Sequence, residues 1–567
     1  MLAAFALLAA ACGGDDDGGA DDLTDAPTTA VDEPADDPAD EPADEPGDDP
    51  ADEPGDEVDE PGDDSVAGDG PCDATVPGSE LNLGVFVPTG SLDPLLASGA
   101  LVGGTDLAAI YDTLMRWDAD TNTWVPHVAQ SLESNDDSTE WTLTLRDGVN
   151  YANGDPLLAQ HVLDNMERML GPGANASRGL IARVDLENSE AVDDSTVVFQ
   201  LFEPWVEFGY LLADAPGMVV NPALGDEVDD ADVSVISNDP NGAGVGPYVV
   251  EQYSPGESPY LVLTARDDYW GGPVCIETVN MVSVGADQPK LEALDLGEID
   301  LAFLRTANVI AEARDSGQYD EAMFLQSAGE ILLINNGVGT HTDVTADPRF
   351  RRAVNLAIDP DVISDRAFGG ELLGTKSLIH EDSTFYSGVS GVEADLDEAS
   401  ALVEELKAEG WDGTVRFNCR DTNPNLPVAL VASLEAAGMD IDATVTDQVS
   451  SITAVVTQDF DIACWGWNIS DSAVYRQLDF NFRSDSTSNR MGYANPAMDD
   501  AIDALFAAED LDGRREAVAT MSEIFNDDVP SVVFAAVEEG YMISDRVAGI
   551  VPTQQTVLLL GGAYMVD

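Results

Sequence analysis

Asp347-Pro348-Arg349-Phe350-Arg351-Arg352-Ala353-Val354-Asn355-Leu356-Ala357-Ile358-Asp359 writes a helix and its core contact into one stretch. Asp347 can cap the first turn, and Pro348 suits the first helical position, where its missing N–H costs nothing. Phe350, Ala353, Val354, Ala357 and Ile358 fall at i, i+3, i+4, i+7 and i+8, a single apolar stripe that must face a core. A second helix is expected over 104–116, with Leu107, Ile110, Tyr111, Leu114 and Met115 on one face. A third is expected over 396–408, stopped by Gly410. Strand-like runs are interleaved at 81–87, 141–145, 195–201, 260–265, 331–335, 441–446 and 531–536. The mixture predicts an α/β (mixed α+β) protein with several sheets.

The chain has 567 residues, 109 acidic and 23 basic, for a formal charge of −86; only three of the cations are lysines. No basic surface is available for phosphate, so a nucleic-acid partner is excluded. Length predicts several domains, and 44% hydrophobic residues with eight Trp supply a large core. Residues 13–71 carry 25 acids and no Lys or Arg, which leaves −61 on the remainder. Such a body is heavily hydrated, and salt relieves its self-repulsion. Residues 13–72, rich in Asp, Glu and Pro, cannot offset their ordering entropy and are expected to be a disordered tether, ~40 Å end to end or longer. Ahead of it, 2–11 is apolar, the length of a signal-peptide core. Ala9-Ala10-Ala11 leading into Cys12 resembles a bacterial lipobox, so 1–12 is expected to be a lipoprotein signal with Cys12 lipidated. No positive residue precedes the apolar run, and the natural start is expected upstream.

Four further cysteines, Cys72, Cys275, Cys419 and Cys464, suggest two disulfides in an exported protein. Cys419 ends one strand-like run and Cys464 lies in another, which favours that pair and leaves Cys72 with Cys275; three pairings are open. No Cys-x-x-Cys or neighbouring His supports a metal site. The histidines His127, His161, His341 and His380 stand apart from one another. Residues 369–377 resemble a phosphate loop faintly, but Thr375 separates Gly374 from Lys376, and the stretch reads as a plain loop. Asp118-x-Asp120-x-Asn122 opens like a calcium loop and has Thr123 where Gly is needed. No catalytic constellation is present; the chain is expected to be no enzyme and to need no cofactor.

Several separated segments, in order, resemble the family 5 solute-binding proteins of ABC importers, the oligopeptide, dipeptide and nickel receptors. They are Leu92-Asp93-Pro94; Ile110-Tyr111-Asp112-Thr113-Leu114; Trp124-Val125-Pro126; Trp141 to Val149 running into Asn153-Gly154-Asp155-Pro156; Gly244-Val245-Gly246-Pro247-Tyr248; Asp268-Tyr269-Trp270-Gly271-Gly272; Leu296-Gly297-Glu298-Ile299-Asp300; the 347–359 helix; and Asn495-Pro496. Most of these read as structural: Gly244 and Gly246 for tight backbone, Tyr269 and Trp270 as core anchors, Arg351 and Arg352 as partners of local carboxylates. The resemblance implies a two-lobed periplasmic-binding-protein-like fold, of type II and the large cluster with an extra subdomain. Lobe I would comprise 73–110, 215–325 and 535–567, the extra subdomain 111–214, and lobe II 326–534.

It implies a receptor that captures a peptide-like solute between the lobes and delivers it to an ABC permease with its ATPase subunits. Such a receptor is expected to be a monomer, exported and lipid-anchored on the outer face of a bacterial membrane. Family members meet a peptide's amino terminus with an acid just after a strand-ending Trp. Here Ser470 takes that place and Asp471 follows one residue late. The ligand-binding candidates are Arg420, Trp465, Trp467, Asn468 and Asp471, with Arg420 facing a ligand carboxylate. A sensor or surface module on the same fold, or a receptor for an oligosaccharide or a nickel complex, is the alternative.

Overall fold

A computed structural model describes residues 72, 75–86, 90–96, 104–171, 177–225, 235–255 and 260–566. The expected signal segment with Cys12, and the acidic run up to 71, lie outside the described residues.

Two antiparallel strands, Tyr319–Ile334 and Ser531–Ser544, pair from Tyr319 opposite Ser544 to Leu333 opposite Ser531. They run 16 and 14 residues, well beyond the usual five or six. Among the described residues they stand inside an eleven-stranded sheet. Outward from Ser531–Ser544 come Leu301–Leu304, Val76–Gly84, Ile276–Val282, Tyr260–Ala265 and Tyr248–Ser254. Outward from Tyr319–Ile334 come Ile462–Trp467, Thr414–Arg420 and Asp440–Thr446. Leu301–Leu304 pairs with 540–543 and Ile462–Trp467 with 328–334, so each half of the sheet grips a different end of the crossing pair. Between those ends the register shifts at Gln326/Glu330 and again at Glu330/Ile331, a bulge that bends the strand. Gly329 permits it: a Cβ there would lie 2.5 Å from that of Val537. The body is two-lobed about this crossing.

Three large apolar clusters cover the sheet. Leu83, Tyr248, Leu263, Val279 and Phe303 belong to the first half, and Leu332, Phe350, Val354, Phe417 and Phe534 to the second. The third gathers Leu143, Phe199, Trp205 and Phe208, around a four-stranded sheet of Ala129–Ser134, Glu140–Leu145, Thr196–Gln200 and Glu190–Ala191. It continues without a break into Tyr475, Phe482, Phe506 and Phe525 on the helices Val474–Phe482, Pro496–Ala507 and Leu511–Asp528. Trp205 meets Phe506 edge-on at 5.2 Å, and Arg514 reaches Glu207 at 2.6 Å beside them.

The 347–359 stretch folds as read: helix Pro348–Ala357 has the Asp347 side chain accepting from Arg349 N, and Phe350, Ala353 and Val354 are fully buried. Arg352 pairs with Glu398 at 2.9 Å as expected. Arg351 instead donates to the carbonyls of Ala346, Asp528 and Val529, capping the end of helix Leu511–Asp528 rather than meeting a carboxylate. The expected helix 104–116 ends early, at Tyr111, and Met115 opens the strand Met115–Asp118. Asp112 causes the break. It sits at φ 52°, and its buried carboxylate accepts from Tyr269 Oη (2.9 Å) and Trp270 Nε1 (2.9 Å), with His127 Nε2 at 3.1 Å. Asp93 is likewise buried and takes both Nη atoms of Arg168, at 3.0 and 2.5 Å. A Cβ on Gly244 would lie 2.1 Å from the Ile110 carbonyl oxygen, which accounts for that glycine. Cys419 pairs with Cys464 and Cys72 with Cys275. Among the described residues no helix is long and apolar enough to cross a membrane.

Lys376 is buried, and its Nζ donates to the carbonyls of Asn355 (2.6 Å) and Ile358 (3.1 Å) at the end of the 348–357 helix. Burial lowers its pKa to about 7, against the opposing pull of Asp359 and Glu393. The unfolded chain keeps this proton to about pH 10 and the folded chain loses it near 7, so the group makes stability rise between those values. In urea titrations from pH 7 to 9, Lys376→Met is expected to lose a rise approaching ~1.4 kcal/mol per pH unit. Identical pH slopes in the two proteins would refute the assignment.

Candidate functional site

Strands Thr414–Arg420 and Ile462–Trp467 lie side by side, with Phe417 opposite Ile462 and Asn418 opposite Ala463. Cys419 and Cys464, next in that register, are cross-linked with their Cα atoms 4.8 Å apart. Arg420 and Trp465 therefore leave the two strands at one level, beside the bulge of the crossing pair, where Trp465 stands opposite Ile331. Gly466 allows close approach: a Cβ on it would lie 2.3 Å from the Gly329 carbonyl oxygen and 3.5 Å from Arg305 Nη2.

Arg305 brings a second cation to this place. It follows Leu301–Leu304, donates from Nη1 to Glu539 Oε2 at 2.7 Å and from Nη2 to the Gly329 carbonyl at 3.1 Å. Its Nη2 lies 3.8 Å from Glu330 Oε1, which also accepts from Arg420 Nη2 at 3.4 Å. Gln326 Nε2 donates to the other oxygen of Glu539 at 3.0 Å. Burial pushes the Glu539 carboxyl above its usual range, with Arg305 opposing and Glu330 adding to the rise. Burial works against the Arg305 charge too, but Glu539 and Glu330 outweigh it and raise its pKa.

The other candidates divide. Trp465 is half-buried on the same face as Trp467, as strand alternation requires. Trp467 is 2% exposed and packs edge-on against Phe482 at 4.7 Å, so it belongs to the core and offers a ligand no surface. Asp471 is committed to the protein: its two oxygens accept from Ser383 Oγ (2.5 Å) and Thr384 N (2.9 Å) and pin the 380–386 loop. Ser470 is buried, and Asn468 is half-buried, its carbonyl accepting from Gln555 Nε2 at 3.4 Å.

That last contact exposes a feature the sequence reading missed. Thr553, Gln554, Gln555 and Thr556 form a buried polar run that touches three parts of the body. Gln555 N donates to Ser472 Oγ at 2.9 Å, Gln554 Nε2 to the Ala213 carbonyl, and Thr553 Oγ1 to the Trp117 carbonyl at 3.1 Å. Four consecutive polar residues ahead of the apolar 557–560 were the available signal. Arg305, a lone cation directly after an apolar strand, was another.

Residues 123–489 match the family model described as bacterial extracellular solute-binding proteins, family 5. The chain belongs to that family. The probable D,D-dipeptide-binding periplasmic protein DdpA of Escherichia coli is 25% identical over 480 residues, spanning 81% of this chain and 89% of that protein. The oligopeptide-binding protein OppA of Bacillus subtilis is 21% identical over 505 residues, spanning 83% and 90%. The solved structure of Listeria monocytogenes OppA bound to peptide matches at a TM-score of 0.74 and 20% identity, covering 87% of this chain and 100% of that one. At that identity the likeness establishes the fold.

In this family 5 chain the two tryptophans are expected to respond differently to truncation. Trp467→Ala empties a core position and should cost about 3–5 kcal/mol. Trp465→Ala should cost less than half of that and should weaken solute binding. Urea unfolding and a thermal-shift titration of both variants check this; equal stability losses would remove Trp465 from the site.

Proposed function

We infer that the chain is the receptor of an ABC importer, taking up a peptide-like solute between its lobes and handing it to a membrane permease driven by ATPase subunits. The observation that carries this is the crossing of Tyr319–Ile334 and Ser531–Ser544, with its bulge at 326–331, and the side chains gathered there from both halves of the sheet: Arg305, Arg420 and Trp465. A pair of strands shared by two lobes and irregular at one level is a hinge about which the lobes can close on a solute. The relatives described as dipeptide- and oligopeptide-binding favour a peptide as that solute.

In this reading lobe I comprises 73–110, 215–325 and 535–567, the extra subdomain 111–214 and lobe II 326–534. Solute meets Arg420, Trp465 and Asn468, while Trp467 and Asp471 shape the site from behind. The protein works as an exported monomer, held to the outer face of the membrane through Cys12 with 13–72 as its tether. It binds and releases, and performs no chemistry.

Native mass spectrometry of the purified full chain, before and after mild denaturation, tests the reading. A released set of peptide masses is expected, together with a rise in melting temperature when a synthetic peptide mixture is added. A single sugar-like or metal-complex mass would overturn the ligand class. An empty protein with no thermal response to peptides would overturn the receptor reading.

A further inference from the structure

We propose that the bond between Cys419 and Cys464 is a positioning element of the solute site: it holds the end of strand Thr414–Arg420 against strand Ile462–Trp467, and the affinity for solute depends on it. The proposal rests on the peptide-receptor reading and adds the part of the fold that keeps two walls of the site at a fixed spacing. The other disulfide, Cys72–Cys275, has no such role.

The outer strands of this half of the sheet hang on a short seam. Thr414–Arg420 and Asp440–Thr446 pair along their whole length, from Thr414 opposite Asp440 to Arg420 opposite Thr446, and form a unit of their own. Ile462–Trp467 is fixed on its other side, where it pairs with 328–334 of the crossing strand. Between the two units the ladder consists of Phe417 opposite Ile462 and Asn418 opposite Ala463. The pairing is parallel, slightly weaker per residue than antiparallel. So short a seam, left alone, would let the outer unit pivot about it.

Each end of the seam has its own fastening. Ahead of it, Arg416 N donates to Asp461 Oδ2 at 2.9 Å, and the Arg416 guanidinium reaches Asp461 Oδ1 at 3.0 Å and Asp459 Oδ1 at 2.7 Å. Behind it, the covalent bond joins Cys419 to Cys464. Past that bond the strands answer to different neighbours: Arg420 lies opposite Thr446 in the outer unit, and Trp465 opposite Ile331 in the crossing strand. The side-chain tie of Arg420 toward the crossing is its 3.4 Å contact with Glu330, longer than the about 2.7–2.9 Å of a well-formed charged pair. The disulfide is thus the last firm tie before the walls of the site part.

Its surroundings suit a permanent brace. Cys419 is 0% and Cys464 2% exposed, both inside the apolar cluster of this half, where an attacking thiolate has no access. The bond spans 45 residues of sequence, against 203 for Cys72–Cys275. On chain entropy alone the longer loop gives the larger stabilisation. The effect peculiar to Cys419–Cys464 is local: it sets the spacing of the strand ends that carry Arg420 and Trp465. A site held at its bound spacing beforehand avoids the ordering penalty that binding would otherwise carry.

The test uses the full chain in three forms: wild type, Cys419→Ala with Cys464→Ala, and Cys72→Ala with Cys275→Ala. Thermal unfolding should show that losing Cys72–Cys275 costs at least as much stability as losing Cys419–Cys464. Calorimetric titration with a defined synthetic mixture of tri- to pentapeptides, at a temperature where all three are folded, should give the reverse order. Affinity should be about tenfold weaker without Cys419–Cys464 and within about twofold of wild type without Cys72–Cys275. Hydrogen exchange on the solute-free proteins gives a readout that needs no ligand. Losing Cys419–Cys464 should speed exchange at the 420–423 amides, while those of 415–417, beside the Arg416–Asp461 tie, keep the wild-type rate. Unchanged affinity without Cys419–Cys464, equal affinity losses from both disulfides, or exchange that rises uniformly over 414–423 would overturn the proposal. So would failure of the Cys419→Ala, Cys464→Ala protein to fold, which would make the bond a stability element. If the wild type binds none of the peptides, the peptide reading falls by itself, and exchange at 420–423 decides whether the bond positions the strand ends.

Discussion

The antiparallel pair formed by Tyr319–Ile334 and Ser531–Ser544 is the constraint on which the rest of the body hangs. Each half of the sheet is built outward from one end of it, and each apolar cluster on the sheet is referred to one of those ends. The pair is continuous at both ends, which holds the halves together, and shifts register between Gln326 and Ile331. The candidate site lies at that irregularity because strands from both halves bring their ends there.

For a chain with 109 acidic residues, the simplest arrangement would keep every carboxylate outside. Several are instead among its deepest groups, and each has a specific set of donors. Asp93 receives a forked Arg168, Asp112 receives Tyr269 and Trp270, and Asp461 receives Thr342 and Arg416 through both backbone and side chain. Burying a carboxylate is tolerable only with such a full set. The family-like motifs at 92–94, 110–114 and 268–272 are largely the two sides of these ties. That is why they read as structural in the sequence and prove to be so in the fold.

Local structure was legible where one local signal decided it. The 347–359 helix has its cap, proline and stripe in thirteen residues and folds accordingly. The helix Leu396–Ala408 is the same case. Legibility failed where distant partners decide. Nothing near Asp112 in sequence reveals that Tyr269 and Trp270 will claim its carboxylate and stop the helix at Tyr111. The crossing strands were seen only as short fragments, because central strands covered on both faces lose the period-two alternation that marks an exposed one. In the site, Arg420 and Trp465 were visible as a lone cation and a strand-end aromatic. Arg305, Glu330 and Glu539 were not, since they come together through pairings more than two hundred residues apart.

Those separations bear on the order in which the body can fold. Tyr319 waits for Ser544, and Val76–Gly84 waits for Ile276–Val282, whereas the strands of 248–282 pair with one another on a short piece of chain. Loop closure over the longer of these distances is slow. Until residues 531–544 become available, the 319–334 segment lacks its main pairing partner and is open along that edge. The chain therefore remains without its crossing pair through most of its synthesis, a state open to a channel that threads unfolded polypeptide, and also to any agent that gathers unpaired strands.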